Sequence, residues 1–127
     1  MTFLGLGTDI VETKRIAESI ERFGDGFIQR VFLEQEAAYA ASMKFPHIHL
    51  AARFAAKEAI SKAFGTGIGR EMGWRDLEIL REDNGVPRVQ LHGAALDYAR
   101  TRGVEAIHIS LSHTADYAAA SAVILGR

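Results

Sequence analysis

The stretch "RFAAKEAISKAFGTGIG", Arg53 to Gly69, runs a series of strong helix formers into a glycine-rich turn and sets one carboxylate, Glu58, among alanines. At 3.6 residues per turn, Glu58 and Lys62 share a helix face, with Ala51 and Ala55 preceding them on it. An exposed Glu-to-Lys pair at this spacing stabilises a helix by only about 0.3–0.5 kcal/mol. A strip of alanines lets another body approach closely, either a ligand or a packed core element. The segment is read as a helix of about Leu50 to Phe64 stopping at Gly65, and the rest of the chain is organised around it. The loop "GTGIGR" follows a helix C-terminus, where the macrodipole is negative, and it lacks the Gly-Lys-Ser/Thr ending of a phosphate loop. By itself it reads as a cap and a turn.

Upstream, "FLGLGTDIV" (Phe3 to Val11) is a short apolar, glycine-punctuated run that reads as a buried strand with Asp9 at its C-terminal end. From Glu12 to Phe23, Ile16, Ile20 and Phe23 recur at helical spacing and are expected to face the core. The pattern stops at Gly24. Phe27, Ile28, Val31 and Phe32 form a second apolar cluster, and "EQEAAYAASM" reads as a helix that Pro46 separates from the next one. Downstream, two strand-like runs flank Asn84-Gly85, a hairpin signal, and "AALDYARTRG" is a short helix closing on Gly103. "AIHISLSHT" alternates Ile107, Ile109 and Leu111 on one face, and "YAAASAVIL" follows after a turn. Helices mixed with hairpin-joined strands point to an α+β fold, an antiparallel-rich sheet packed with helices in one domain over 1–127.

Composition narrows the function classes. Fifteen basic and 16 acidic side chains in 127 residues leave a formal charge of −1, with no global sign of a nucleic-acid or membrane surface. The absence of cysteine excludes disulfides, thiolate metal sites and a cysteine nucleophile, and makes a cytoplasmic home the default expectation. The opening "MTFLGLGTDIV" has no basic n-region and is broken by Asp9, so it is not read as a signal peptide; no apolar run reaches the roughly 20 residues that span a bilayer. Asp9 reads either as a helix cap or as a carboxylate projecting where loops meet. Two carboxylates, Asp9 and Glu58, on separate rigid elements suit a hard cation such as Mg²⁺, completed by waters and substrate phosphates. His47 and His49 are the only close histidine pair, and no H-E-x-x-H pattern points to zinc.

"GLGTDIVETKRI", "RFAAKEAISKAFGTGIG", "DNGVPRVQLHGAA" and "ISLSHTADYAAASAVI" together resemble the short bacterial type of 4′-phosphopantetheinyl transferase, the holo-[acyl-carrier-protein] synthases. The segments fall in the family's order and span nearly the whole chain. The resemblance implies transfer of the 4′-phosphopantetheine arm of coenzyme A to a serine of apo-acyl carrier protein, with release of adenosine 3′,5′-bisphosphate, for fatty acid biosynthesis. It implies Asp9 and Glu58 as Mg²⁺ ligands, Glu58 and Lys62 as catalytic groups, and Arg53, Lys62, Gly65, Ser112, His113 and Thr114 along the coenzyme A cleft. Glu58, a water on the metal and His113 are the groups that can take the serine proton; a histidine ending an apolar strand face is more often structural. The resemblance further implies carrier-protein docking on Lys14, Arg15 and Arg22 of the first helix, and a homotrimer with sites between subunits. Two alternatives share these parts: a Mg²⁺-dependent nucleotide pyrophosphatase, with water as nucleophile, and a non-catalytic nucleotide-binding module whose acids cap helices and pair with lysines.

Overall fold

The computed structural model describes residues 1–127. Its organising element is a long helix that is buried nearly all round. Ordered along the chain are β1 (Thr2–Glu12), α1 (Thr13–Phe23), α2 (Asp25–Val31), α3 (Glu34–Ala41) and α4 (Pro46–Phe64), then β2 (Leu77–Arg81), β3 (Pro87–Leu91), α5 (Gly93–Thr101), β4 (Val104–His113) and β5 (Tyr117–Gly126). β5 is the centre of a three-stranded antiparallel sheet of order β1-β5-β4, and β2 pairs with β3 in a separate hairpin. The α+β expectation holds. α4 starts four residues earlier than its apolar pattern indicated, because Pro46 is its first residue: the fixed φ of proline suits that position, where no intrahelical N–H is needed. The Asn84-Gly85 signal is also met. Gly85 takes φ +87° and the Asn84 side chain accepts from Val86 N–H, although the connection from Arg81 to Pro87 is longer than a two-residue turn.

What brings sheet and helix together is the absence of side-chain bulk on both. A methyl group on Gly7 would meet the Ala59 carbonyl oxygen at 2.0 Å, and one on Gly5 would meet that of Ala63 at 2.0 Å. β1 thus lies backbone to backbone on α4, and only glycine opposite small residues permits it. Ala51 and Ala55 are fully buried, so the alanine strip belongs to the core and is not open to a ligand. On β5, Ala118, Ala120, Ala122 and Ile124 form the buried face, and the alternate residues lie on the opposite side.

That opposite side is uncovered. Leu6 and Ile10 are 63% and 67% exposed, and register sets them in rows across the sheet, Ile10 beside Ala119 and then Ser112 on the third strand, Leu6 beside Val123 and then His108. Phe23, expected in the core, is 57% exposed at the end of α1; Ile16 is buried and Ile20 partly so. The helix turns away at Gly24, φ +57°, before its last apolar residue reaches the core.

Candidate active site

Odd-numbered residues of β1 face α4 in the order Gly5, Gly7, Asp9, so the register that packs the glycines also delivers Asp9 to the helix. The strand continues through Glu12, which places Asp9 inside it, opposite Ala120, and not at its end. Asp9 is no helix cap: Glu12 occupies the N-cap position of α1. On the helix side, Lys62 Nζ donates to Asp9 Oδ1 at 2.9 Å and approaches the Thr8 carbonyl at 3.3 Å. The hydrogen bond it donates to Asp9 is the main cause holding Lys62 above the ordinary lysine range. Glu58, one turn back, is partly buried. Burial raises its carboxyl above the usual range, and the negative charge of Asp9 raises it further, against the pull of Lys62.

Two oxygen donors on two rigid elements, close enough for one to raise the proton affinity of the other, are a donor set fitting a hard divalent cation. No third carboxylate or histidine joins them, so water or substrate oxygens would complete the coordination. Lys62 already brings a positive charge to the same corner.

On the other side of α4, at the β4 edge of the sheet, opens a cavity of about 300 Å³ lined by Arg53 and His49 of α4, Ile79 and Arg81 of β2, Gly85 and Pro87 of the hairpin, and Ile109 to Leu111 and His113 of β4. Its charged wall is basic. Arg53 is 5% exposed and its Nε has no hydrogen-bond partner. Burial pulls its guanidinium down from the ordinary value, with Glu36 opposing. His49 is lowered too, first by burial and then by His113, whose ring lies edge-on at 5.3 Å. Arg53 and His113 are the two cavity residues that motif resemblance brings forward. Arg81 and Tyr39, which packs against both arginines, had no local signal, and His49 stood out only as half of a His-x-His pair: the three come from three elements and no spacing links them.

Gly65 is the left-handed C-cap of α4, φ +81°, as its position after the helix predicts. The Thr114 hydroxyl accepts from Asp116 N–H and Tyr117 N–H and so shapes the β4–β5 turn. Ser112 lies by register on the open face with Ile10, across the sheet from the side on which His113 meets His49. Lys14, Arg15 and Arg22 lie on α1, away from the cavity, and Arg15 and Arg22 border a shallow hollow with Glu18, Ser19 and Phe23.

A buried ion pair fixes α4 beneath the cleft. Lys57, next to Glu58, is fully buried; its ammonium donates to Glu36 Oε1 at 2.7 Å, to the Val31 carbonyl at 2.7 Å and to the Trp74 carbonyl at 3.1 Å. Glu36 also accepts from Leu33 N–H and Ile79 N–H. Every proton of the ammonium is thus used, which is what such burial requires. The pair ties α2, α3 and β2 to the helix carrying Arg53, Glu58 and Lys62.

The sequence profile of the 4′-phosphopantetheinyl transferase superfamily matches residues 5–122, and the chain belongs to that superfamily. Among its relatives it is similar to the holo-[acyl-carrier-protein] synthase of Moorella thermoacetica, 49% identical over 95% of this chain and 93% of the relative. It is likewise similar to that of Koribacter versatilis, 46% identical over 95% and 97%. Of solved structures, the holo-[acyl-carrier-protein] synthase of Neisseria meningitidis superposes with a TM-score of 0.91 at 33% identity, covering 98% of this chain and 99% of that one. The synthase from Bacillus anthracis, in complex with CoA (3′,5′-ADP), gives 0.83 at 32% identity with all of both chains covered.

Proposed function

We propose that the Asp9–Glu58–Lys62 corner and the basic cavity at the β4 edge come together where subunits meet to form one active site, and that residues 1–127 act as a single transferase domain. The reaction is transfer of the 4′-phosphopantetheine arm from coenzyme A to a serine hydroxyl of apo-acyl carrier protein, giving the holo-carrier and adenosine 3′,5′-bisphosphate. Membership of the superfamily supports the reaction class. The observation that carries the assignment of the site is the register of β1 on α4, which delivers Asp9 to the helix face holding Glu58 and Lys62.

Coenzyme A is multiply charged, and the cavity meets that charge with the guanidiniums of Arg53 and Arg81. Asp9 and Glu58 would hold Mg²⁺. When bound, the ion supplies charge neutralisation on the pyrophosphate and on the departing bisphosphate. Lys62 adds a point charge and, half exposed, can swing from Asp9 to a phosphate oxygen. Glu58, the partly buried carboxylate at this corner, is the group in this reading that takes the proton of the attacking serine. In that step the serine oxygen bonds to the β-phosphorus, the P–O bond to the bisphosphate breaks, and the proton passes to the Glu58 carboxylate.

The open face of the three-stranded sheet supports a homotrimer with sites between subunits: large apolar side chains on a sheet face are covered by a copy in symmetric oligomers. No helix is long and apolar enough to cross a membrane, and the absence of cysteine fits a cytoplasmic site of action. Incubation with coenzyme A, Mg²⁺ and apo-carrier, followed by weighing the carrier, tests the function. A carrier that gains one phosphopantetheine supports it. Hydrolysed coenzyme with an unchanged carrier favours a pyrophosphatase instead.

A further inference from the structure

Tyr39 of α3 stands between two guanidinium groups. Arg53 Cζ lies 4.5 Å from the centre of its ring and Arg81 Cζ 5.3 Å, while Arg81 Nη1 donates to the Tyr39 hydroxyl at 2.7 Å. The His49 ring packs edge-on against the same ring at 5.7 Å. Cations from α4 and β2 are therefore gathered around one aromatic group on a third element. Left to themselves, like charges this close repel, and Arg81 does lower the proton affinity of Arg53.

Neither arginine has a carboxylate partner. The five ion pairs of the fold involve other residues, and Glu36, the acid that attracts Arg53 through space, accepts its hydrogen bonds from Lys57, Leu33 and Ile79. A nine-tenths buried guanidinium with an unpartnered Nε, and a second one tethered beside it, both line the same cavity. Held on an aromatic face, an arginine keeps its charge in a weakly solvated setting and presents its N–H groups outward in a fixed plane.

We propose that Tyr39 is a positioning residue for coenzyme A: its ring seats Arg53 and its hydroxyl aims Arg81, so that the two guanidiniums converge on one phosphate group of the coenzyme. The inference rests on the coenzyme A reading above and goes beyond it by assigning Tyr39 and Arg81. Tyr39 acts only through the arginines, and its hydroxyl only through Arg81. Removing the hydroxyl must therefore matter only while Arg81 is present.

Titration calorimetry with coenzyme A on the intact protein tests this with Tyr39→Phe, Arg81→Met and the double variant. Losing one aimed hydrogen bond raises Kd about 3- to 10-fold for Tyr39→Phe, from the usual worth of such a bond. Arg81→Met raises it further, and adding Tyr39→Phe to Arg81→Met changes nothing more. The KM for apo-carrier stays at the wild-type value in all three, a split that a general loosening of the fold would not produce. Tyr39→Leu, which removes the ring as well, weakens binding beyond Tyr39→Phe; if it fails to fold, the cycle with phenylalanine still decides. Wild-type binding with Tyr39→Phe unchanged, or with strictly multiplicative effects of the two substitutions, overturns the proposal alone. A wild-type protein that does not bind coenzyme A overturns this proposal together with the active-site reading.

Discussion

Lys62 Nζ and Asp9 Oδ1 meet at 2.9 Å, joining residues 53 positions apart and closing the corner where strand and helix carry the carboxylates. The ammonium is half exposed, so the pair contributes about 0–1 kcal/mol to the fold. Its chemistry is therefore separable from its structural role. Asp9→Asn and Glu58→Gln should each lower transfer on the order of 100-fold or more, as loss of one preorganised electrostatic group does. Their melting temperatures should stay within about 4 °C of wild type. Steady-state turnover with a thermal melt on the same samples checks both, and a Glu58→Gln protein with near-normal turnover at low Mg²⁺ would remove the assignment.

His49 gives the fold a pH dependence of known sign. Burial first, then His113, Arg53 and Arg81, hold its imidazole below the ordinary histidine value of 6.5, while the unfolded chain protonates near that value. Well above pH 6.5 both states are neutral and nothing is lost. As pH falls through it, the unfolded chain takes up a proton that the folded one does not, and stability declines until the folded pKa is passed. The effect is modest because the ring is only partly buried. Urea unfolding of wild type and His49→Gln between about pH 7.5 and 5 isolates it: the variant should gain relative to wild type on acidification. A gap independent of pH would show that His49 is not held neutral.

The contact of β1 with α4 predicts an unusually sensitive pair of glycines. At Gly7 a methyl group would stand 2.0 Å from one backbone oxygen and 2.7 Å from a backbone nitrogen, and neither can rotate away. Gly7→Ala should cost about 3 kcal/mol or more, since strand and helix must separate. Gly69→Ala, where nothing lies within 4 Å, serves as the control and should melt like wild type. Equal melting of both variants would mean that the strand can shift at little cost.

Much of this arrangement is legible in the sequence, and the exceptions share a cause. The strands and most of the helices follow from local period, and Asp9, Glu58 and Lys62 are marked by family-like motifs, because each signal lies within a few residues; α2 is the exception, legible only as an apolar cluster. The burial of Lys57 and Arg53 has no local mark, because α4 is enclosed nearly all round only once Glu36 and Tyr39 arrive from a different helix. Tyr39 with Arg81 is invisible for the same reason: the pairing exists only after α3, α4 and β2 have packed. Phe23 fails the amphipathic rule in the opposite direction, by overrunning the end of the core.

On α1, Arg15 and Arg22 stand beside Phe23 at one shallow hollow, with Arg22 Cζ 5.2 Å from the ring centre. An acidic carrier meeting this face would be steered by complementary charge, an effect mainly on association rate and screened beyond about 8 Å at physiological ionic strength. Arg15→Glu should raise the KM for apo-carrier several-fold and flatten its salt dependence, with the KM for coenzyme A unchanged. Kinetics with each substrate varied at low and high salt will show whether the two values separate; if they rise together, α1 is not the docking surface.

The uncovered sheet face carries the final test. Ile10 is 67% exposed on the edge strand, beside Ala119 with Ser112 one strand further on, and no element of the chain packs over it. A symmetric partner that lays its own copy of this face, or a neighbouring one, against Ile10 would remove the apolar surface from water at roughly 25 cal/mol per Å². Glutamate at this position places a charge where that partner must be dry, and burying it unpaired costs far more than the isoleucine contributed. Ile10→Glu should therefore convert a particle of three chain masses into monomers by light scattering, while far-ultraviolet circular dichroism stays that of the wild type. If the catalytic cleft is completed by a neighbour, coenzyme A binding falls in Ile10→Glu and is kept in Ile10→Val, which leaves the face apolar and the particle assembled. A wild-type protein that is monomeric and active would instead assign the open face to a contact other than self-assembly.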